Sequence, residues 1–247
     1  MLSLEEVLFS QGFGTRRICR GLIQQGHVAI GDRASLCTDP EEVVDPIGFR
    51  FVVDGTAWTW HERAYLMLHK PAGYECSQRP SAHPSVYTLL PAPLRQRGGG
   101  AAAGVQAVGR LDQDTTGLLL LSDDGAFIHK MTSPKHHVPK VYEITLRHAM
   151  EAGAVQRLCD GVVLDDDPKP VRALAAELVA PLHLRLVLGE GKYHQVKRMV
   201  AAVGNRVEAL HRSAFGELRL PPDLAPGGWR WLTPQEVQGL RDFRARR

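Results

Sequence analysis

Two stretches of this 247-residue chain combine residue types and spacings suited to chemistry. The first is Gly109-Arg110-Leu111-Asp112-Gln113-Asp114-Thr115-Thr116-Gly117-Leu118-Leu119-Leu120-Leu121, a short polar loop set directly before a fully apolar strand. A strand of that composition is buried, and it fixes the loop at its mouth, so a carboxylate there can be aimed into a cleft as nucleophile, acid or base. By residue type alone, Asp112 and Asp114 serve equally as turn formers or as a two-carboxylate magnesium site. The second stretch runs from Gly189 to Val200, GEGKYHQVKRMV. At about 100° per residue, Val196, Met199, Val200 and Val203 share one side of a helix and His194, Lys197, Arg198 and Ala201 the other. Such a helix packs by its valines. Its ammonium and guanidinium are a solvated face, a phosphate site or the partners of a carboxylate.

The elements that must position these residues follow from patterning. Tyr65–His69, Leu118–Ser122, Val141–Leu146 and Leu184–Leu188 read as strands, and 125–131, 150–159 and 193–203 as helices, which gives an α+β or mixed-sheet body. Lys70-Pro71-Ala72-Gly73-Tyr74 is a turn by its proline and glycine. Residues 91–104, rich in Pro, Gly and Ala, read as a flexible loop, and a composition change at 55–64 reads as a linker. The N-terminal segment reads as a small helical module ending in a hairpin. Leu4, Val7 and Leu8 share a helix face, Gly12-Phe13-Gly14 breaks it, and Thr15 caps a second helix stopped by Gly26. On that helix Arg16, Arg17 and Arg20 cluster while Ile18, Leu22 and Ile23 turn inward. His27–Ile30 is a short strand, and Gly31-Asp32 a turn.

Hydrophobic residues make up 44% and charged residues 23%, so a core can be buried, and disorder, collagen and coiled coil are disfavoured. Residues 1–60 carry five basic against eight acidic side chains, a balance of −3, and the remainder 25 against 19, a balance of +6, so the basic charge lies in the body and suits an anionic partner. No apolar run reaches the roughly 18 residues of a membrane span. The acidic start, Met1-Leu2-Ser3-Leu4-Glu5-Glu6, lacks the basic flank of a secretory signal, so a cytoplasmic chain is expected. Cys19, Cys37, Cys76 and Cys159 lie far apart with no CxxC, which argues against a disulfide framework or a zinc ribbon. His136 and His137 lack a third ligand at metal spacing and are assigned to structure or to contact with an anionic partner.

The run GRLDQDTTGLLLLSDDG resembles the signature of bacterial ribosomal small-subunit pseudouridine synthases of the Rsu type, and further pieces of that pattern follow in order. They are Leu68-His69-Lys70-Pro71-Ala72-Gly73-Tyr74, Ser133-Pro134-Lys135-His136-His137, Lys140-Val141-Tyr142, GKYHQVKRMVAAVGN and Leu210-His211-Arg212. The first 50 or so residues resemble the small alpha-L RNA-binding module that precedes such enzymes. The resemblance implies an α+β fold: an alpha-L module at 1–55, and a mixed, largely antiparallel-sheet pseudouridine synthase domain at 64–240.

The implied activity is isomerisation of a uridine in 16S ribosomal RNA, of the uridine-516 type, with no cofactor and no metal. Asp112 is then the catalytic carboxylate, by attack on the glycosidic carbon, addition to the base or assistance to a glycal. Tyr142 is the active-site tyrosine, and Lys197, with Arg198 as second choice, is the partner of Asp112. Arg110 enters the RNA where the target base leaves, because a flipped base needs a substitute in the stack. Asp114 shapes the loop. Lys70, Tyr74, His194 and Arg198, with Arg16, Arg17 and Arg20 of the first module, are the remaining expected substrate or RNA contacts.

The expected partner is ribosomal RNA or a small-subunit assembly intermediate, met by a monomer. Two departures from the family pattern stand out: a longer, glycine-rich 95–106 segment expected to order on RNA, and a first module poor in basic residues. Competing functions are a synthase for 23S ribosomal RNA, a non-catalytic RNA-binding assembly factor, and a metal-dependent nuclease using Asp112 and Asp114 with Asp123 and Asp124.

Overall fold

The structure is a computed structural model that describes residues 1–31, 35–98, 104–165 and 167–243. It divides into two units: Met1–Ala64 with Leu90–Gln106 and Ser122–Asp124, and Tyr65–Leu89 with Ala107–Leu121 and Gly125–Arg247. Among the described residues no helix is long and apolar enough to cross a membrane.

In the first unit, helix Leu4–Gln11 opens with a reciprocal cap between Ser3 and Glu6, and helix Arg16–Gln24 is capped by the Thr15 side chain. Both pack on a sheet in the order Ser35–Leu36, Val28–Ile30, Arg50–Val53, Thr56–Thr59, around Leu4, Leu8, Ile23, Val28 and Phe51. Three sequence expectations are corrected here. Thr56–Thr59 is not a linker, because it pairs with Arg50–Val53 in register and completes that sheet. Ile18 is half exposed; the inward stripe is Cys19 and Ile23, four residues apart, and Ile18 lies about 100° from Cys19.

The third correction concerns the 91–104 segment, which is not wholly loop. Ala92–Gln96 is helical, and Arg97 is buried, donating to Gln11 Oε1, the His61 carbonyl and the Asp123 carboxylate. Gly12 permits this: at φ +90°, a side chain there would sit 2.2 Å from the Pro93 carbonyl oxygen. Residues 99–103, the glycine-rich heart of the expected loop, lie outside the described residues, as does Asp32 of the expected turn.

The second unit is built on a mixed, largely antiparallel sheet. Its main order is Ala175–Ala180, His183–Leu188, Lys140–Leu146, Val207–Phe215, Thr116–Ser122, Tyr65–Lys70, Trp229–Trp231. Thr116–Ser122 is buried almost throughout and pairs in parallel with Val207–Phe215, Gly117 opposite Arg212. A Cβ on Gly117 would stand 2.3 Å from the Arg212 carbonyl, so the glycine of the TTG motif lets these two strands meet. Lys140–Leu146 alternates strictly, Lys140, Tyr142, Ile144 and Leu146 facing in. A core of Met67, Leu118, Leu120, Phe127, Met131 and Phe215, among others, lies beneath helices Gly125–Thr132 and Pro234–Asp242.

Candidate active site

A cavity of about 790 Å³ lies wholly within the second unit. The expected residues Arg110, Asp112, Tyr142, His194 and Lys197 line it, with Asp114, Lys140, Arg212 and Phe215. The Asp112 loop is held from behind. The Lys70 ammonium, fully buried, donates to the carbonyls of Pro71, Gln113 and Thr115 at 3.1, 3.1 and 2.8 Å, and the Gly73 N–H donates to Gln113. Burial lowers the pKa of Lys70, against the opposing pull of nearby anionic groups. This corrects the reading of Lys70 as an RNA contact: its donors are spent on backbone, and it positions the loop. Tyr74 is half-buried and does not line the cavity, although the next two residues, Glu75 and Cys76, do. The Glu75 carboxylate accepts backbone N–H groups of Ser81, Ala82 and His83, chiefly the last two, which hold its pKa down to about 2.

Lys197 reaches both aspartates of the loop. Its ammonium is 3.4 Å from Asp112 and donates to both oxygens of Asp114, at 2.7 and 2.8 Å. The expected Lys197–Asp112 pairing is therefore shared, and Asp114 takes the shorter contacts. Burial opposes the charge on each partner, but the hydrogen bond and the opposite charge win, so Asp114 is held below and Lys197 above its ordinary pKa. Arg198, the second choice, donates to the Tyr193 carbonyl at the helix start.

His194 precedes helix Gln195–Ala202 in a left-handed conformation, φ +48°, that turns its ring back to put Nε2 3.5 Å from Asp112 Oδ1. The ring stacks on exposed Tyr193, centroids 3.8 Å apart. Val196, Met199, Val200 and Val203 are buried, the packing face that the sequence period predicts. Gln195 fixes the approach to the helix, accepting from the Lys192 N–H and donating to Glu190.

Tyr142 faces the cavity from its strand, while Arg110 is exposed at the loop's start. His136 and His137 lie exposed on a short 3₁₀ turn. In the first unit Arg16 and Arg20 are ion-paired with Glu5, and Arg20 also with Glu41, whereas Arg17 is exposed. Asp123, a carboxylate of the nuclease reading, is committed to Arg97 and the Ala64 N–H. Lys140 and Arg212 fall within the family pattern, but the sequence assigns neither a role. A charged residue at an inward position, two before Tyr142, was the signal available for Lys140.

The fold and cavity define an α+β domain with a carboxylate loop set against cations and an aromatic ring. The RNA pseudouridylate synthase family model matches residues 64–202. A ribosomal small subunit pseudouridine synthase A of Yersinia pestis is 44% identical over 71% of this chain and 72% of its own length. That of Escherichia coli is 42% identical over 73% and 75%. A crystal structure of a pseudouridylate synthase superimposes with a TM-score of 0.67 at 34% identity, covering 97% of this chain and 100% of the other. The chain belongs to the RNA pseudouridylate synthase family, and its activity class is that of an RNA pseudouridine synthase.

Proposed function

We propose that this chain converts one uridine of small-subunit ribosomal RNA, of the uridine-516 type, to pseudouridine. The observation that carries the reading is the meeting of Asp112, Tyr142 and Lys197 in one cavity, with Asp112 between Lys197 at 3.4 Å and His194 at 3.5 Å. The names of the relatives at 42–44% identity support the small-subunit target.

In this mechanism a flipped uridine enters the cavity and its ring lies against Tyr142. Arg110, exposed beside the loop, fills the place the base leaves in the RNA. The Asp112 carboxylate acts on the glycosidic carbon, on the base or on a ribose proton. Lys197, 3.4 Å away, orients it while taking its own bearing from Asp114. Uracil detaches, turns and reattaches through carbon, with no net oxidation and no hydrolysis. The first unit captures RNA as the alpha-L-like module, and the protein works in the cytoplasm as a monomer on ribosomal RNA or a small-subunit assembly intermediate.

The test is pseudouridine mapping of 16S and 23S RNA from cells with the gene, without it, and carrying only Asp112→Asn. The expected result is one 16S position that is lost in the latter two strains. Loss of a 23S position instead would move the target to the large subunit. Unchanged maps would leave an RNA-binding assembly factor.

A further inference from the structure

Beyond the carboxylate side of the cavity lies a pair of cations with no assigned task. Lys140 and Arg212 both line the cavity, yet only 8% and 2% of their surfaces are exposed. Strand register explains their meeting: Tyr142 pairs with Arg212 and Lys140 with Phe215 on adjacent strands, so the three polar side chains share one face of the sheet. The Lys140 ammonium lies 5.2 Å and the Arg212 guanidinium 5.4 Å from the centre of the Phe215 ring. Arg212 donates from Nε to the Leu118 carbonyl at 2.7 Å, which locks its plane, while its Nη2 is buried without a hydrogen-bond partner.

Among the described residues no carboxylate pairs with either cation, because Asp112 and Asp114 are engaged by Lys197 and His194. Two like charges buried without a counter-ion are costly, and an arriving anion relieves that cost. Burial, and then the Arg212 charge, push the Lys140 pKa down to about 8.

We infer that Lys140 and Arg212 receive the negative charge that develops on the uracil carbonyl oxygens during isomerisation, as an electrophilic floor opposite Asp112. This rests on the pseudouridine synthase reading and deepens it. When the C1′–N1 bond breaks, its electron pair stays with uracil, whose charge spreads over N1, O2 and O4. The electron-poor C1′ is satisfied by bonding an Asp112 oxygen or by losing the ribose 2′ proton to that carboxylate. When C5 bonds to C1′, the Asp112 oxygen leaves or the 2′ proton returns, and the C5 proton passes to N1, so nothing is gained or lost. If Asp112 instead adds to C6 of the base, the C5=C6 pair goes onto O4; C5 then bonds to C1′ as N1 leaves with the glycosidic pair, and passage of the C5 proton to N1 restores C5=C6 and expels the Asp112 carboxylate. O4 thus carries part of the charge by every route, and preorganised cations there stabilise it. Uracil is favoured over a phosphate because the cations flank Tyr142 and Phe215, flat walls that suit a planar ring, whereas phosphates stay with the RNA backbone.

The test uses the full chain and a small-subunit RNA transcript. Lys140→Met is expected to lower the single-turnover rate at saturating RNA by about a hundredfold, as for loss of one oxyanion donor. RNA affinity should stay within about threefold and its salt slope should not change, since no phosphate contact is lost. Should that variant not fold, Lys140→Arg keeps a cation that does not titrate.

The wild-type kcat/KM profile reports the free enzyme, and it should fall above pH about 8 as Lys140 deprotonates. Lys140→Arg should carry activity to higher pH. Arg212 and Tyr142 face Lys140 from the adjacent and the same strand. A weakened affinity with a reduced salt slope and an intact rate would make the pair a phosphate site and overturn the inference. So would an unchanged rate in Lys140→Met, or an alkaline limb unmoved in Lys140→Arg. Wild-type protein that forms no pseudouridine would instead refute the underlying reading.

Discussion

Two helices carry basic faces, and the structure gives them opposite fates. On Arg16–Gln24, Arg16 lies 3.2 Å from Glu5, and Arg20 lies 2.7 Å from both Glu5 and Glu41, so two of its three arginines are answered within their own unit. On Gln195–Ala202, Lys197 points across the cavity of the second unit to the Asp112 loop, and His194 at the cap does the same. A basic helix face in a sequence therefore says little until its carboxylates are located. Near-neighbour acids turn one face into structure, and distant acids on a functional loop turn the other into a site.

The largest effect should come from the carboxylate that the second helix serves. Asp112→Asn keeps shape but removes nucleophile and base, and single-turnover pseudouridine formation should fall by more than about a thousandfold. RNA affinity should stay within about tenfold, because it comes mostly from phosphate contacts. A smaller loss of rate, read by nucleoside mapping of the transcript, would mean that the chemistry rests elsewhere.

Lys197→Met comes next. Breaking a buried ion pair costs about 3–5 kcal/mol, but these groups are partly open to solvent, so a rate loss of about ten- to a hundredfold is expected. Affinity should be little changed. Stability carries a pH signature whose sign follows from the shifts. Asp114 is lowered from 3.8, so its contribution is present above that value and lost as pH falls through the folded value. Lys197 is raised from 10.5, so its contribution is present below that and lost as pH rises through the folded value. The difference in melting temperature between wild type and Lys197→Met should be flat between these limits and shrink outside them. A difference that grows toward acid would show that another group is the partner.

Legibility in the sequence divides along the same line. The TGLLLL strand, the valine stripe of 196–203 and the Thr15 cap were legible because each is set by local period or by a side chain beside its own helix. What escaped depends on residues distant in sequence. Arg97 sits in a Gly- and Ala-rich tract whose local composition says loop, yet its partners Gln11, His61 and Asp123 turn it into a buried node. Lys70 ends an apolar strand, and only the return of the 112–115 loop adds the carbonyls of Gln113 and Thr115 to that of neighbouring Pro71 and fills its three donor positions. Of the site, Asp112 and Lys197 were legible through the family pattern. The preference of Lys197 for Asp114 over Asp112 was not, since it turns on differences below 1 Å.

A smaller effect tests the silent half of the comparison. Glu5 is buried, and Glu5→Gln removes the charge that both Arg16 and Arg20 face. The two arginines are about half exposed, so the ion pairs contribute little, and stability should drop by only about 1 kcal/mol, a few degrees in Tm. Arg20 keeps its pairing with Glu41, so only the Arg16 guanidinium is freed, and it should steepen the salt dependence of RNA binding by up to about one unit of slope. If stability falls but the slope does not move, pairing to Glu5 is not what keeps Arg16 from RNA.

The smallest expected effect belongs to Arg17, which separates the three arginines within one helix. It is exposed, and among the described residues it forms no ion pair with a carboxylate, whereas Arg16 and Arg20 do. A guanidinium already neutralised must give up its partner before it can meet a phosphate, so its net gain on binding is small. One that is free releases a counterion from the RNA at no such cost. Arg17→Ala should therefore reduce the salt slope by about one unit and weaken RNA binding a few-fold, with the rate at saturating RNA unchanged. Arg16→Ala, its neighbour in sequence, should leave the slope alone and cost only a little stability. Titrations of both variants at several salt concentrations decide it. Equal slopes for wild type and Arg17→Ala would remove this helix from the RNA-binding surface.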